Sequence, residues 1–563
     1  MKITFPCALL LSLFGATQMP AGAQSMSILV TEGDSIPGVG LVIRVNAVSV
    51  SSVECPFVEV DTDNPDTDAN GVLLQNSNVL LREGQSLNVP GGATLDNFDG
   101  VSIAPDGTLA LNLFLDGTTP PANDSGVFVG TNLLIQEGDV STAAAFAPGT
   151  TYEGFFDVQW GSNGTFLVMA SVDDPSIPTT VDRALVQVTV DAAGNLLSEE
   201  VVWKEGDVPP GQTQPIANLE TDTEEYAING QGVTMVTVDL AGDTTVDHAI
   251  YMGDTLLMQE GSPSPVAGRN WGTLTGVELD LNDAGDWIAK ANLDSSDNTT
   301  DQVLVRNGAI YRREGDSLPD IAPFTFQDFG GANGVFMLPN GDVLWFGDWD
   351  DPDLTRDEGL FLNDQLILQE GVTVVGGNTI IDLADFSETL DVSEDGRFAV
   401  IEGEINPMGT DLDVAILIEL GLGTSYCDSN PNSTGLPAAL SITGSSSIAA
   451  NDMTLSMSQL PPLSFAFFLV SQTQGFVAFP GGSDGNLCVV GSIGRYVGPG
   501  QIQQSSAAGT ANLAIDLTQI PQPNGFVSAQ AGEQWNFQGW HRDLTSTGAT
   551  SNFSDGVTIV FTP

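Results

Sequence analysis

Positive charge is what this sequence has least of. Its 563 residues hold 14 Lys and Arg against 73 Asp and Glu, a net charge of −59, and Lys204 and Lys290 are the only lysines beyond Lys2. Nucleic acid and anionic lipid both need a basic footprint, so neither is an expected partner. Histidine is scarcer still, with His248 and His541 alone, which argues against a zinc site built on two or three histidines. His541, inside Trp540-His541-Arg542, reads as a solvent-facing strand residue. His-Glu-x-x-His, Gly-x-x-x-x-Gly-Lys and Cys-x-x-Cys are all missing. Arg82 and Arg313 share one place, just before Glu-Gly, and Arg356 falls elsewhere, so three converging arginines that grip a substrate carboxylate are not expected. Beyond the first residues, no apolar run approaches the roughly 18 residues of a membrane helix.

The start is different. Lys2, an apolar run from Phe5 to Ala16 and the small-residue motif Ala21-Gly22-Ala23 read as a secretory signal peptide over residues 1–23, cut before Gln24. The expected location is therefore outside the cytoplasm, secreted or on the cell surface. Export favours oxidised cysteines, and Cys427 and Cys488 share the C-terminal region, so they are expected to pair. Cys55, in the strand-like run from Glu54 to Val60, is expected to be a buried, inert thiol. Long acidic chains are often disordered, but this one is 41% hydrophobic, enough to build cores.

Two markers recur in step. Glu-Gly follows an apolar run at Glu32, Glu83, Glu137, Glu205, Glu260, Glu314 and Glu370, at spacings of 51, 54, 68, 55, 54 and 56. A turn dipeptide between alternating apolar residues recurs at Asp106-Gly107, Asn163-Gly164, Gln231-Gly232, Ala284-Gly285, Asn340-Gly341 and Asp395-Gly396, with a degenerate copy near Ser52. One repeat shows the unit: Gly334–Leu338 and Val343–Phe346 flank one turn, and Gly359–Leu362 and Gln365–Gln369 flank Asn363-Asp364. Four short strands in about 55 residues is the size of a propeller blade. Ser27–Gly33 is a fourth strand without its first three, and Asp413–Leu420 is a third strand without its fourth. A ring joins such fragments into one blade, and closure hides open sheet edges. The expected fold is all-β: a seven-bladed β-propeller over residues 26–423, then a β-sandwich over 424–563. From Thr424 onward only 7 acidic and 2 basic residues remain, and alternating runs such as Leu463–Val470 and Cys488–Val497 suit a sandwich.

Both parts have a familiar pattern. Asn282-Asp283-Ala284-Gly285-Asp286-Trp287-Ile288-Ala289 resembles the Asn-x-x-Gly-x-x-Ala-Phe-like repeat of exported bacterial tandem-repeat proteins, with Ile288-Ala289 in place of the Ala-Phe pair. The tail from Tyr426-Cys427-Asp428-Ser429-Asn430-Pro431-Asn432 resembles a C-terminal domain attached to varied secreted proteins of Planctomycetes-like bacteria. Neither resemblance implies a defined reaction.

One repeated constellation bears on chemistry. Each second hairpin begins just after an Asp or Asn: Asn70, Asp124, Asp182, Asp247, Asp301, Asp357 and Asp413. With two-residue turns, Asp124 faces Glu137, Asp247 faces Glu260, Asp301 faces Glu314 and Asp357 faces Glu370; Asn70 meets Glu83, Asp182 meets Glu205 and ring closure sets Asp413 beside Glu32. Like charges facing each other across a hairpin repel. Three arrangements relieve that: the Glu accepts backbone N–H groups, the pair shares a proton or a neighbour's charge, or it holds a hard cation with loop carbonyls. In the last case Asp124, Glu137, Asp247, Glu260, Asp301, Glu314, Asp357 and Glu370 are the ligands, and oxygen donors with little histidine favour Ca²⁺ over Zn²⁺. No other cofactor and no catalytic residue is assigned. Trp160, Trp287 and Trp345, beside the first turns, read as blade packing rather than sugar stacking.

The function these features favour is a non-enzymatic extracellular binding or scaffolding protein, whose ligand is a glycan or another cell-surface component. The alternative is a carboxylate-dependent polysaccharide hydrolase or lyase at the propeller mouth. A deep pocket with two carboxylates and several basic or aromatic residues distinguishes the second; shallow Asp-rich loops, such as Asp294–Asp301 and Asp348–Asp357, distinguish the first.

Overall fold

Period-two alternation, β-branched residues and glycine-rich turns leave strands as the only element able to bury these side chains. The computed structural model describes residues 23–561 except 52–54, 77, 119–122, 162–163, 178–181, 222, 296–298, 332–333, 340, 408, 428, 445, 507–508 and 546–547. The leader and the turn residues Asn163 and Asn340 therefore lie outside the described residues. The protein is all-β; its only helical pieces among the described residues are three single 3₁₀ turns, and no helix is long and apolar enough to cross a membrane. Two compact units divide the chain, one drawn chiefly from Ser27–Asp364 and Leu368–Leu417, the other chiefly from Ile418 onward.

The first unit is a series of seven antiparallel sheets. The second in chain order is the plainest: Thr94–Ile103, Leu109–Asp116, Ser125–Val129 and Asn132–Gln136, paired in that order. The seventh draws Phe398–Ile405 and Leu412–Leu420 from the end of the array and Ala23–Thr31 from its beginning. Glu32 N–H donates to Asp413 O at 2.8 Å, so the two half-units do complete one sheet. The inner end of each sheet is its first strand, and these strands are stitched to one another by side chains. Asp280 takes the N–H of Met337 in the next sheet at 2.7 Å, Asp391 takes that of Val50 at 2.8 Å, and Ser102 takes that of Trp160 at 2.8 Å. An edge strand's outward N–H groups need acceptors, and buried side chains supply them.

The turn marker works in the same way. Asn282 Oδ1 accepts Ala284 N–H and Asp286 N–H, both at 3.0 Å, while its Nδ2 donates to Leu338 O of the next sheet at 3.0 Å. Asn229 repeats this toward Asn282 O at 3.0 Å. The Asn therefore both closes its own turn and clamps the neighbouring sheet.

The glycine of Glu-Gly also has a local reason. It is left-handed at all seven corners, from φ 65° at Gly371 to 91° at Gly33, a conformation costly for residues with a Cβ. Its N–H donates into the segment that begins the next sheet at every corner, for example Gly315 to Phe326 O at 2.8 Å. Glu-Gly is the point where the chain leaves one sheet for the next.

In the second unit, a six-stranded and a three-stranded sheet share one buried core, including Ile442, Leu455, Phe468, Trp535 and Phe537. Cys427 and Cys488 form a disulfide with Cα atoms 6.1 Å apart. Such bonds persist in oxidising compartments. Cys55 is buried and outside the disulfide, its Sγ accepting from Gln75 Nε2 at 2.9 Å. The sequence reading of His541 is corrected: it is fully buried, because Gln534–Thr545 is sandwiched between Phe465–Ser471 and Gly548–Val560 in the larger sheet, and burial lowers its pKa.

Candidate functional site

The acidic corners form, but in a different register. In four hairpins the last strand carries a β-bulge: pairing runs Phe128↔Leu133 then Val127↔Ile135, with like shifts between Leu73/Leu74, Ile250/Tyr251 and Leu304/Val305. The extra residue moves each Glu one place along. Glu137 N–H bonds Ser125 O rather than facing Asp124, Glu260 bonds His248 O, Glu314 bonds Gln302 O and Glu370 bonds Glu358 O. The expected pairings of Asp124, Asp247, Asp301 and Asp357 with these glutamates are off by one residue, as are those of Asn70 with Glu83 and Asp182 with Glu205, whose N–H groups reach Gly71 O and Arg183 O, whereas Glu32 meets Asp413 as expected.

The glutamate side chains then reach back along the bulge. Glu314 Oε2 accepts Asp301 N–H at 2.7 Å and Gln302 N–H at 2.9 Å; Glu83 takes Gly71 N–H at 2.6 Å, Glu137 that of Asp124 at 3.1 Å and Glu205 that of Arg183 at 3.2 Å. Glu370 takes that of Asp357. This is the backbone-accepting arrangement among the three expected, joined at Glu137 and Glu314 by a side-chain hydrogen bond with Asp124 and Asp301, in which the pair shares a proton. Burial raises the carboxyls of Glu137, Glu205, Glu314 and Glu370 to about 7.

A third-strand residue fills each corner and differs from sheet to sheet: Gly71, Ser125, Arg183, His248, Gln302, Glu358 and Asp413. Arg183 turns to Asn218 Oδ1 and Leu219 O at 3.0 and 2.8 Å. Glu358 meets Glu370 and Asp382 with ligand oxygens within 4.8 Å of one another, and burial, then Asp382 and Glu370, hold its proton to about pH 9. His248 meets Asp239 and Asp247 with the same closeness. Neither Asp382 nor Asp239 was expected from the repeat markers, because both lie on strands that the markers do not index.

The larger feature is central to the first unit. The first strands of all seven sheets line one cavity of about 280 Å³. Its wall contains nine carboxylates and, among the described residues, no Lys, Arg or His. Some are structural: Asp280 and Asp391 bond neighbouring strands as above, and Glu278 bonds Gly334 N–H and pairs with buried Lys290. The carboxyl groups of Glu388 and Glu394 take no hydrogen bond among the described residues, although Glu388 O accepts Val48 N–H at 2.9 Å. Burial, then Glu59, Glu224 and Asp99, raises Glu388 to about 8; burial, then Asp283 and Asp395, raises Glu394 to about 7; burial raises Asp280 to about 7. Trp160 stacks on Phe166 with centroids 5.1 Å apart and also faces this cavity, whereas Trp287 and Trp345 are buried in packing. A signal for the wall was available: Glu278-Leu279-Asp280-Leu281 and Leu390-Asp391-Val392 each set an Asp five residues before the turn glycine.

Comparisons with known proteins add little chemistry. A family described as "Family of unknown function (DUF7453)" matches residues 18–256, less than half of the chain. No curated protein matches. Similar solved structures include the subtype N11 neuraminidase-like protein of A/flat-faced bat/Peru (H18N11), at 11% identity and TM-score 0.29, covering 72% of this chain and 97% of that one. Glycoside hydrolase family 32 from Bifidobacterium adolescentis is similar at 10% identity and TM-score 0.20, covering 90% and 86%. Trypanosoma rangeli sialidase in complex with sialic acid is similar at 8% identity and TM-score 0.23, covering 85% and 94%. Scores this low bear no functional argument.

Proposed function

We propose that the chain is an exported, seven-bladed β-propeller with a C-terminal β-sandwich, and that it binds an extracellular glycan in its central channel without transforming it. The observation behind this reading is the channel wall: nine carboxylates and no basic side chain among the described residues. Carboxylates accept hydrogen bonds from sugar hydroxyls and attract ammonium groups, and they repel anions. The ligand is accordingly a neutral or amine-bearing sugar, and sialic or uronic acids are disfavoured increasingly as pH rises through about 7–8, where Glu394 and Glu388 lose their protons. The channel lies near the lower end of the ~300–1,000 Å³ usual for ligand pockets, which suits a chain end.

Calorimetric titration of the mature protein with neutral, amine-bearing and acidic oligosaccharides tests this. Binding by either of the first two, weakened at least tenfold by Glu388→Gln with Glu394→Gln, is the expected result. Equal binding of an acidic sugar, or indifference to the double substitution, refutes it.

The hydrolase or lyase reading has one observation in its favour. Burial holds protons on Glu278 and Asp280 to about pH 7, as a general acid requires. Release of reducing ends from any of those oligosaccharides, abolished by Glu278→Gln, would establish it.

A further inference from the structure

We propose that the corner of the fourth sheet is a binding site for a borderline divalent transition ion, Zn²⁺ in preference to Ca²⁺, with His248, Asp239 and Asp247 as ligands and Glu260 beside the imidazole. This is independent of the channel reading. His248 opens the strand His248–Met252, directly across from Asp239 on Thr234–Leu240, and Glu260 closes the row from the other side through its N–H to His248 O at 2.9 Å. The imidazole thus stands between two carboxylates on adjacent strands, with Asp247 beside it in sequence.

The distances favour a shared ion. His248 Nδ1 lies 3.2 Å from Asp247 Oδ1 and 3.4 Å from Glu260 Oε2. A single N–H cannot serve both oxygens well, and 3.4 Å exceeds an ordinary N–H···O bond. Tetrahedral zinc with ligands about 2.0–2.1 Å away sets neighbouring ligand atoms about 3.3 Å apart. Asp247 is 7% exposed and its Oδ1 accepts no hydrogen bond. A buried carboxylate oxygen in that state needs a positive partner, and with His248 neutral only a cation supplies one. Ligand atoms of Asp239, Asp247 and His248 all lie within 4.8 Å of one another.

On the other side of the ring, His248 Nε2 lies 3.1 Å from Thr275 Oγ1. With Nε2–H donating to that hydroxyl, the Nδ1 lone pair faces the carboxylates, the outer-shell arrangement typical of metal-bound imidazoles. A nitrogen donor tilts the preference from Ca²⁺ toward zinc-like ions. The general expectation of Ca²⁺ at these corners thus changes at the one corner that holds a histidine.

Having only two histidines makes the test clean. In the mature protein labelled with ¹⁵N-histidine, ring-nitrogen spectra contain His248 and buried His541, assigned by His248→Gln. Zn²⁺ should shift the His248 Nδ1 signal to saturation at one equivalent, leave His541 unmoved, and bind at least tenfold more weakly to His248→Gln in calorimetry; millimolar Ca²⁺ should not shift it. A His248 signal indifferent to Zn²⁺, equally responsive to Ca²⁺, or zinc binding unchanged in the variant overturns the proposal. Should His248→Gln not fold, as judged by circular dichroism, Asp239→Asn takes its place under the same criteria.

Discussion

Glu314 shows what a buried acid in a strongly acidic chain is for. One oxygen serves the two backbone N–H groups of Asp301 and Gln302 at the start of the third strand. Glu314→Ala removes that acceptor and should lower unfolding free energy by about 2–3 kcal/mol, whereas Glu314→Gln keeps a carbonyl oxygen and should cost under about 1 kcal/mol. Urea unfolding of the two variants separates them; equal losses would show that the acceptor does not matter. Glu388 gives the opposite case, a channel acid raised to about 8 by burial and neighbouring acids. Its folded value lies above the ordinary carboxylate value of 4.5, so the native state holds a proton that the unfolded chain releases as pH rises between them. The group therefore lowers stability progressively through that window. Glu388→Gln should raise the melting temperature at pH 8 by a few degrees, on the order of 1–2 kcal/mol, and change little at pH 4.5. A gain of equal size at both pH values would contradict that reading.

At the scale of elements, the sequence exposed what obeys periodicity and hid what breaks it. Strand alternation, the positive-φ glycine of Glu-Gly and the turn dipeptides all recur visibly. The bulge does not, because one extra apolar residue (Leu80, Leu134, Leu257 or Tyr311) in a short strand looks like ordinary packing, yet in four hairpins it displaces the corner glutamate by one position. The inner-strand acids were overlooked for a related reason. Asp280 and Asp391 alternate with apolar neighbours as solvent-facing residues do, and only the assembled unit turns that face toward a buried channel. His541 was misread in the same way, since alternation cannot distinguish solvent from a second packed layer.

The corner glycines allow a graded test. A Cβ at Gly371 would stand 2.0 Å from Thr355 O, whereas at Gly315 the nearest atom is Thr300 Cγ2 at 3.6 Å. Both have positive φ, 65° and 83°. Gly315→Ala should cost about 1 kcal/mol from backbone strain alone, and Gly371→Ala clearly more, because backbone must move. Thermal unfolding that ranked them the other way would refute the close approach.

For the whole molecule, continuity of the seven sheets rests on one pairing, Ala23–Thr31 against Leu412–Leu420. A chain beginning at Glu32 leaves Leu412–Leu420 as an open edge, with Val30 gone from the core it shares with Val45, Val60 and Ala415. It should melt at least about 5 °C lower and self-associate; light scattering and a melt unchanged from the mature protein would show that this strand closes nothing. Lys204 and Lys290 point to the same need for neutralisation inside an acidic fold: Lys204 reaches Asp174 at 2.8 Å, and Lys290 pairs with Glu278 of the channel wall. The central claim is that the channel, not the Asp-rich outer loops, receives the ligand. Hydrogen exchange of the mature protein, with and without the best-binding neutral or amine-bearing sugar, tests it most directly. Protection concentrated on the channel-lining segments 278–283 and 388–394 is the predicted result; protection confined to loops 294–301 and 348–357, with the channel strands unchanged, would contradict the account.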